Sequence, residues 1–321
     1  MLTMTTLRRL WTTDRPLTAT GLLMLAALAA SLAGLWLDPR TITGAPAWLK
    51  PAKFAASTAI YALTLAWIFI SLPSWSRTRR IVGRASALIL IFEVAVIFLQ
   101  AWRGTTSHFN VGTPLDATLF AVMGIGIVMQ MLASAAVAVA LWRQRFDDVA
   151  LGWALRLGMI ISIIGASTGG LMTRPTAAQL ADVRATHRLS VVGAHTVGAP
   201  DGGPGLPGTG WSTAHGDVRV PHFLGLHAMQ ALPVFALLLA RRRESDALRV
   251  RLTFVAAGSY FALFALLLVQ ALSGESVVAP SPAFAVTFAV WGVVTLTAAP
   301  IATGRVVGFA RADTRVRPHA L

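Results

Sequence analysis

An all-α, polytopic transmembrane helix bundle is the fold class this sequence predicts, and three observations carry the prediction. Hydrophobic residues make up 55% of the 321-residue chain and charged residues only 12%, about half the roughly 25% of an average soluble domain. The apolar residues gather into runs close to the ~20 residues that cross about 30 Å of hydrocarbon. Arginine and lysine fall in the connections between those runs, the pattern that orients membrane proteins. The formal charge of +14 is therefore read as a topology signal, with the lipid bilayer as partner and no role for nucleic acid. Cysteine is absent, which removes disulfides, thiolate metal sites, iron–sulfur clusters and cysteine nucleophiles.

About eight spans are expected, at approximately 17–37, 54–73, 83–102, 117–142, 149–171, 221–240, 252–272 and 284–303. Arg8, Arg9 and Arg15 precede the first, which reads as an uncleaved signal anchor because its apolar run exceeds a signal core of roughly 7–15 residues. In the fourth, Met123, Met129 and Met131 read as core or lipid-facing residues. The fifth carries Arg156 and the small residues Gly158, Gly165 and Gly169, whose spacing predicts close helix packing. The sixth takes His222 and His227 into the membrane.

Basic residues distribute unevenly between the two sides of this arrangement. Arg8, Arg9, Arg15, Arg77, Arg79, Arg80, Arg84, Arg143, Arg145, Arg241, Arg242, Arg243, Arg249, Arg251, Arg305, Arg311, Arg315 and Arg317 share one side, eighteen in all. Eight fall on the other: Arg40, Lys50, Lys53, Arg103, Arg174, Arg184, Arg188 and Arg219. The bias predicts N-in/C-in, a multi-pass membrane protein with both termini cytoplasmic. The connections 37–53, 103–116 and the long extracytoplasmic loop 172–220 then face outward.

The outward connections hold the unusual polar detail. PTAAQLADVRATHRL (175–189) reads as a short helix with proline in its first turn, lying on the membrane surface through Leu180, Val183 and Leu189. From Gly193 the loop turns to glycine and proline, yet it also holds His195, Asp201, Trp211, His215 and Asp217, which predicts an ordered segment rather than a linker. Asp201 and Asp217 each neighbour glycine, so turn formation competes with any chemical role. His108 closes the outer end of the third span. The outward histidines show no HExxH or other fixed ligand spacing, so His215 with Asp217 is only a compositional metal candidate.

Four polar residues are expected inside the membrane: Glu93, Gln100, Gln130 and Gln230. Glu93, Gln100 and Arg103 share an arc of about 80° on one helix, giving the third span a polar face. An intramembrane carboxyl is costly unless it is partnered, protonated or functional. His227 lies about five residues inside the sixth span, where a neutral imidazole must find a hydrogen-bond partner or a metal.

The runs KPAKFAASTAIY, RGTTSHFN with TPLD, and HTVGAPDGGPGLPGTGWS followed by GDVRVPHFLGLHAMQ resemble an uncharacterised family of bacterial multi-spanning membrane proteins. They touch spans two to six, about half the chain, and the resemblance implies no activity. More loosely, eight spans with a glycine-rich loop before a histidine-bearing helix resemble haem A synthase. That family implies paired histidines on haem near the outer face with an assisting glutamate, onto which His227 and Glu93 match, while spans two, four, seven and eight carry no histidine.

Three functions are therefore expected, in order. The first is a haem-binding or redox membrane protein in which His227 is an axial ligand, His108, His195 or His222 its counterpart, and Arg103 or Arg219 pairs with propionates. The second is a small-solute transporter or receptor, its small-molecule ligand following a polar path past Glu93, Gln100 and Gln130. The third is a metal-assisted membrane hydrolase or transferase using the outward histidines with Asp201 or Asp217.

Overall fold

The computed structural model describes residues 4–242 and 244–302. Arg243, Arg305, Arg311, Arg315 and Arg317 of the basic count, and the final residue of the eighth expected span, lie outside the described residues.

Among the described residues the regular structure is helical apart from two small hairpins. α1 (Met4–Thr13) turns into α2 (Arg15–Leu37) at Asp14, whose side chain caps α2 by accepting from the Leu17 N–H at 2.9 Å. A two-residue hairpin, β1 (Thr41–Ile42) with β2 (Ala45–Pro46), then leads into α3 (Leu49–Ile70) and α4 (Ser76–Trp102). Its turn places Thr43 and Gly44 at φ 48° and 76°. α5 (Pro114–Arg143) and α6 (Val149–Ser167) start on Thr113 and Asp148 caps, a pairing of short polar side chain and helix start that sets where each span begins. The short helices α7 (Gly169–Met172) and α8 (Ala177–Thr186), and the hairpin β3 (Thr196–Val197) with β4 (Gly216–Asp217), follow. α9 (Arg219–Leu226), α10 (Ala228–Ala240), α11 (Asp246–Leu272) and α12 (Pro282–Ala302) complete the described fold.

Neighbours in sequence pack as neighbours in space. α2 packs on α3 and α4, α3 on α4 and α4 on α5, while α6 gathers α5, α9, α10 and α11 around it, with α12 against α11. One apolar cluster joins the groups through Leu17, Leu65, Phe69, Leu141, Leu155, Met159 and Met229. Outward-turned side chains are as apolar as the core: Leu88 is 71% exposed and Leu132 66%, far beyond what a water-facing helix carries and suited to lipid.

Six helices, α2, α3, α4, α5, α11 and the run that begins with α6, are long and apolar enough to cross a membrane. The expected span 221–240 is not one straight helix. It is the pair α9 and α10, bent by 44° at His227. The break is held by neighbours: Gly165 and Gly225 press together so closely that a Cβ on either would lie 2.5 Å from the other's backbone, and Tyr260 Oη and Ser162 Oγ donate to the Leu224 and Leu226 carbonyls at 2.6 and 2.9 Å. Such side-chain donors are how broken membrane helices satisfy freed carbonyls. Pro233, one turn and a half further on, removes another backbone donor. At the other end of the chain α12 contributes an apolar stretch of Pro282–Ala298, shorter than the six.

One further expectation is adjusted. Pro175 stands before the surface helix rather than in its first turn, and Thr176 with Gln179 forms the capping box of α8. Arg156, within α6, donates from Nε to the Leu141 carbonyl and from Nη2 to the Gln144 carbonyl at 3.0 and 2.7 Å. It thus terminates α5, with the rings of Phe146 and Trp153 each 5.1 Å from the guanidinium carbon.

Candidate functional site

All the long connections meet at one end of the bundle. The segment after α6 is tied to the 103–113 connection by Val111 N–H to Ser190 O and Val192 N–H to Phe109 O, both 2.9 Å. It is tied to the end of α6 and α7 through Ala194 N–H to Met172 O at 3.0 Å, and to α8 through Gln179, whose amide both accepts from and donates to Gly193. Ser276 Oγ donates to Ser212 O at 2.9 Å from beyond α11. Gly193, at φ 95°, approaches Met172 so closely that a Cβ would sit 2.1 Å from its carbonyl oxygen; only glycine meets both demands. Each tie supplies a partner that a buried backbone group needs, so the glycine-rich loop is a folded cover.

Beneath this cover charged side chains from three elements converge. Asp217 on β4 is buried and receives Arg219 Nε at 2.9 Å, Arg219 Nη2 at 2.5 Å and the Ser212 N–H at 2.8 Å. Arg219 Nη2 also reaches Gly210 O at 2.6 Å. Lys53, in the first turn of α3, donates to Thr209 O at 2.8 Å. Lys50, three residues earlier and half-buried, makes no hydrogen bond or ion pair with the described residues; its ammonium stands 5.9 Å from the Phe54 ring centre.

Aromatic rings connect this lysine to the histidines. Phe54 and His108 have ring centres 5.5 Å apart, and Phe109 lies between His108 at 6.3 Å and His195 at 4.8 Å. His195 donates from Nδ1 to Asp201 at 2.7 Å, while its backbone N–H and that of Thr196 also reach Asp201. Burial alone would raise the Asp201 carboxyl, but the bond and charge of His195 and the two backbone donors hold it well below the usual carboxylate range. Burial, with the charges of Lys50 and His195, pushes His108 well below the ordinary histidine range. Burial likewise lowers His195 against the opposing pull of Asp201.

The expected site residues are thus sorted into separate places. Arg103 pairs with Asp116 at 2.7 Å and also bonds Gln100, which donates to Asp116 at 2.8 Å; this closed network ties α4 to the start of α5. His222 donates from Nδ1 to Gly165 O at 2.9 Å, leaving Nε2 as the acceptor of a neutral ring. His215 is exposed at a turn, apart from the Asp217 carboxylate that Arg219 occupies. His227 sits at the α9–α10 break, its ring centre 4.2 Å from that of Phe223 and with Gln230 beside it. Among the described residues no group of three or more His, Asp and Glu is gathered as a metal site.

Intramembrane polar groups are also dispersed. Gln130 donates to Tyr61 Oη at 2.8 Å and Gln230 to Thr64 Oγ1 at 3.3 Å, so both amides reach the same face of α3 from different helices. Glu93 is buried against Gly126 of α5, and its Oε1 has no partner; the Oε1 atoms of Gln130 and Gln230 are unpartnered too. Sequence reasoning treated Lys50 and Lys53 as counted charges and passed over Phe54 and Phe109. One signal was available: the chain has no other lysines, and their spacing of three puts both on one helix face.

Comparison of the chain with protein-family models, curated proteins and solved structures finds no match.

Proposed function

We propose that this protein crosses the bacterial inner membrane eight times, with both termini cytoplasmic, and binds a small anionic solute on its outer side as a receptor or transporter. Eight crossings count the broken α9–α10 pair and α12 with the six long helices. The eighteen-to-eight distribution of basic residues supports the orientation. Reporter fusions after Ser76 are expected to read cytoplasmic and those within 196–216 external; the reverse would remove the outward site.

Lys50 is the observation that carries the ligand class. Asp217 is committed to Arg219, Asp201 to His195, and Lys53 to a carbonyl, while the Lys50 ammonium stands against a ring face, feels the charge of Asp201 and has no hydrogen bond or ion pair among the described residues. A half-buried cation without a directly paired anion is unfavourable, and a carboxylate arriving at Lys50 would supply that pair. Phe54 and the neutral His108 offer such a solute an apolar wall and a hydrogen-bonding nitrogen. The test is a carboxylate panel against purified protein, read by thermal shift. Stabilisation that Lys50→Met abolishes is expected, and equal indifference of wild type and variant to every carboxylate would refute the assignment.

Haem binding is a second reading, supported by His227. Its imidazole is half-exposed at a helix break beside an aromatic ring, a setting suited to an axial ligand. A Soret band lost in His227→Ala but retained in His187→Ala would favour it, and colourless protein after haem supply would dismiss it.

A further inference from the structure

The arginine-rich end of the bundle, opposite the loops, holds a cavity of about 280 Å³ where the α1–α2 corner meets the start of α4. Arg15, Arg79, Arg80 and Arg84 line it with Asp14 and Ser76. The corner is pressed tightly home: a Cβ at Gly83 would lie 2.2 Å from Asp14 Oδ2. Asp14 is buried and already caps α2, so four guanidinium groups share one committed carboxylate.

Arg15, Arg80 and Arg84 are exposed and Arg79 half-buried, and Asp14 feels the charges of Arg79 and Arg84, so water rather than the protein serves most of these guanidiniums. No ion pair joins any of them to another described residue, and the side chains of Arg15, Arg80 and Arg84 make no hydrogen bond there either. Arg79 reaches Phe69 O at 3.3 Å through Nη1, while its Nε is buried without a partner. Guanidinium groups left in this state match the paired oxygens of phosphate, which they bind in bidentate fashion. A carboxylate is a weaker fit, because its two oxygens satisfy one arginine and leave the others uncompensated.

α1 indicates where the cavity stands. Met4, Leu7 and Trp11 follow at spacings of three and four on one face, with Met4 83% and Trp11 41% exposed, and Leu10 turned into the core. Arg8, Arg9 and the threonines occupy the remaining surface. A helix of this kind lies in the plane of the membrane interface, which brings the cavity to headgroup level.

We propose that this cavity is a phosphate-binding site, formed by Arg15, Arg79, Arg80 and Arg84 at the α1–α2 corner and taking the phosphate of an anionic phospholipid headgroup or a free phosphate. It is independent of the anionic solute assigned to Lys50 at the other end.

The full chain, purified in detergent, is titrated with short-chain phosphatidylglycerol, short-chain phosphatidylcholine and inorganic phosphate, with binding read by native mass spectrometry and thermal shift. Saturable binding is expected, weakened about tenfold or more in Arg79→Gln/Arg84→Gln, as loss of charge-assisted hydrogen bonds implies. Arg77→Gln, outside the cavity, is expected to bind as wild type. Phosphatidylglycerol binding alone identifies the lipid as source; inorganic phosphate binding with the same variant pattern identifies the free ion. Arg84→Gln alone, an exposed substitution, keeps the test open if the double variant does not fold. Absence of binding by both anionic probes, or unchanged binding in Arg84→Gln and the double variant, overturns the proposal, as does equal loss in Arg77→Gln.

Discussion

Gly165→Ala tests the helix crossing on which the broken span depends. The added Cβ would lie 2.5 Å from the Cα and carbonyl carbon of Gly225 and 2.8 Å from Leu226 N. Carbon atoms rest about 3.5–4.0 Å apart, so α6 and α9 must separate by roughly 1 Å, and no flexible side chain is present to yield in their place. Overpacking of this kind costs about 1–3 kcal/mol. The same separation stretches the bonds from Ser162 and Tyr260 to the carbonyls beside the break, each worth about 0.6 kcal/mol in a membrane setting. A loss of about 2–4 kcal/mol is a large part of the roughly 5–15 kcal/mol that holds a protein folded. At about 2 °C or more per kcal/mol, the apparent melting temperature in detergent should fall by about 5 °C. Gly170→Ala is the control, since nothing lies within 4 Å of its added carbon. Combining Gly165→Ala with Gly225→Ala should cost less than the sum, because both methyls open one crossing. If Gly165→Ala melts within about 1 °C of wild type, as the control should, the crossing does not hold the bend.

Other expected outcomes follow from groups in and around the cover. Arg219→Ala leaves Asp217 buried without its cation, a loss of about 3–5 kcal/mol for such pairs, and should expose 196–216 to proteolysis; resistance equal to wild type would show that the ion pair does not secure the loop. His108 is held well below the ordinary histidine range by burial and by the facing charges of Lys50 and His195. Below a pH of about 6.5, the unfolded imidazole therefore takes up a proton that the folded one refuses. Stability is lost as pH falls, by up to about 1.4 kcal/mol per pH unit until the folded value is reached. Melting curves between pH 7 and 5 should show a shallower decline for His108→Gln, and an unchanged slope would place the titration elsewhere.

Much of the fold was legible because membrane crossing imposes length and apolarity on consecutive residues, and both can be read locally. The spans beginning near 17, 54, 83, 117, 149 and 252 correspond to α2, α3, α4, α5, α6 and α11; α6 begins at Val149 on its Asp148 cap, while α5 and α11 begin earlier than expected, on Thr113 and Ser245 caps. The expectation of an ordered glycine-rich loop rested on its polar residues, and Asp201 and Asp217 there accept from backbone groups that would otherwise be left unsatisfied. The bend at His227 was not legible. Its cause lies in Gly165, Ser162 and Tyr260, between 36 and 64 residues from the backbone they contact, and hydropathy carries no record of that contact.

Residue type alone marked His108, His195, His215, His222 and His227 as one group, and determined that any metal here would lack thiolate ligands. Tertiary structure decided which of them keep company. It gave His222 to a helix carbonyl and His195 to Asp201, left His215 exposed, and set His108 across Phe54 from Lys50. The difference has a physical cause: burial propensity and helix period are properties of neighbouring residues along the chain, whereas an unpaired charge is defined only after every possible partner has been positioned.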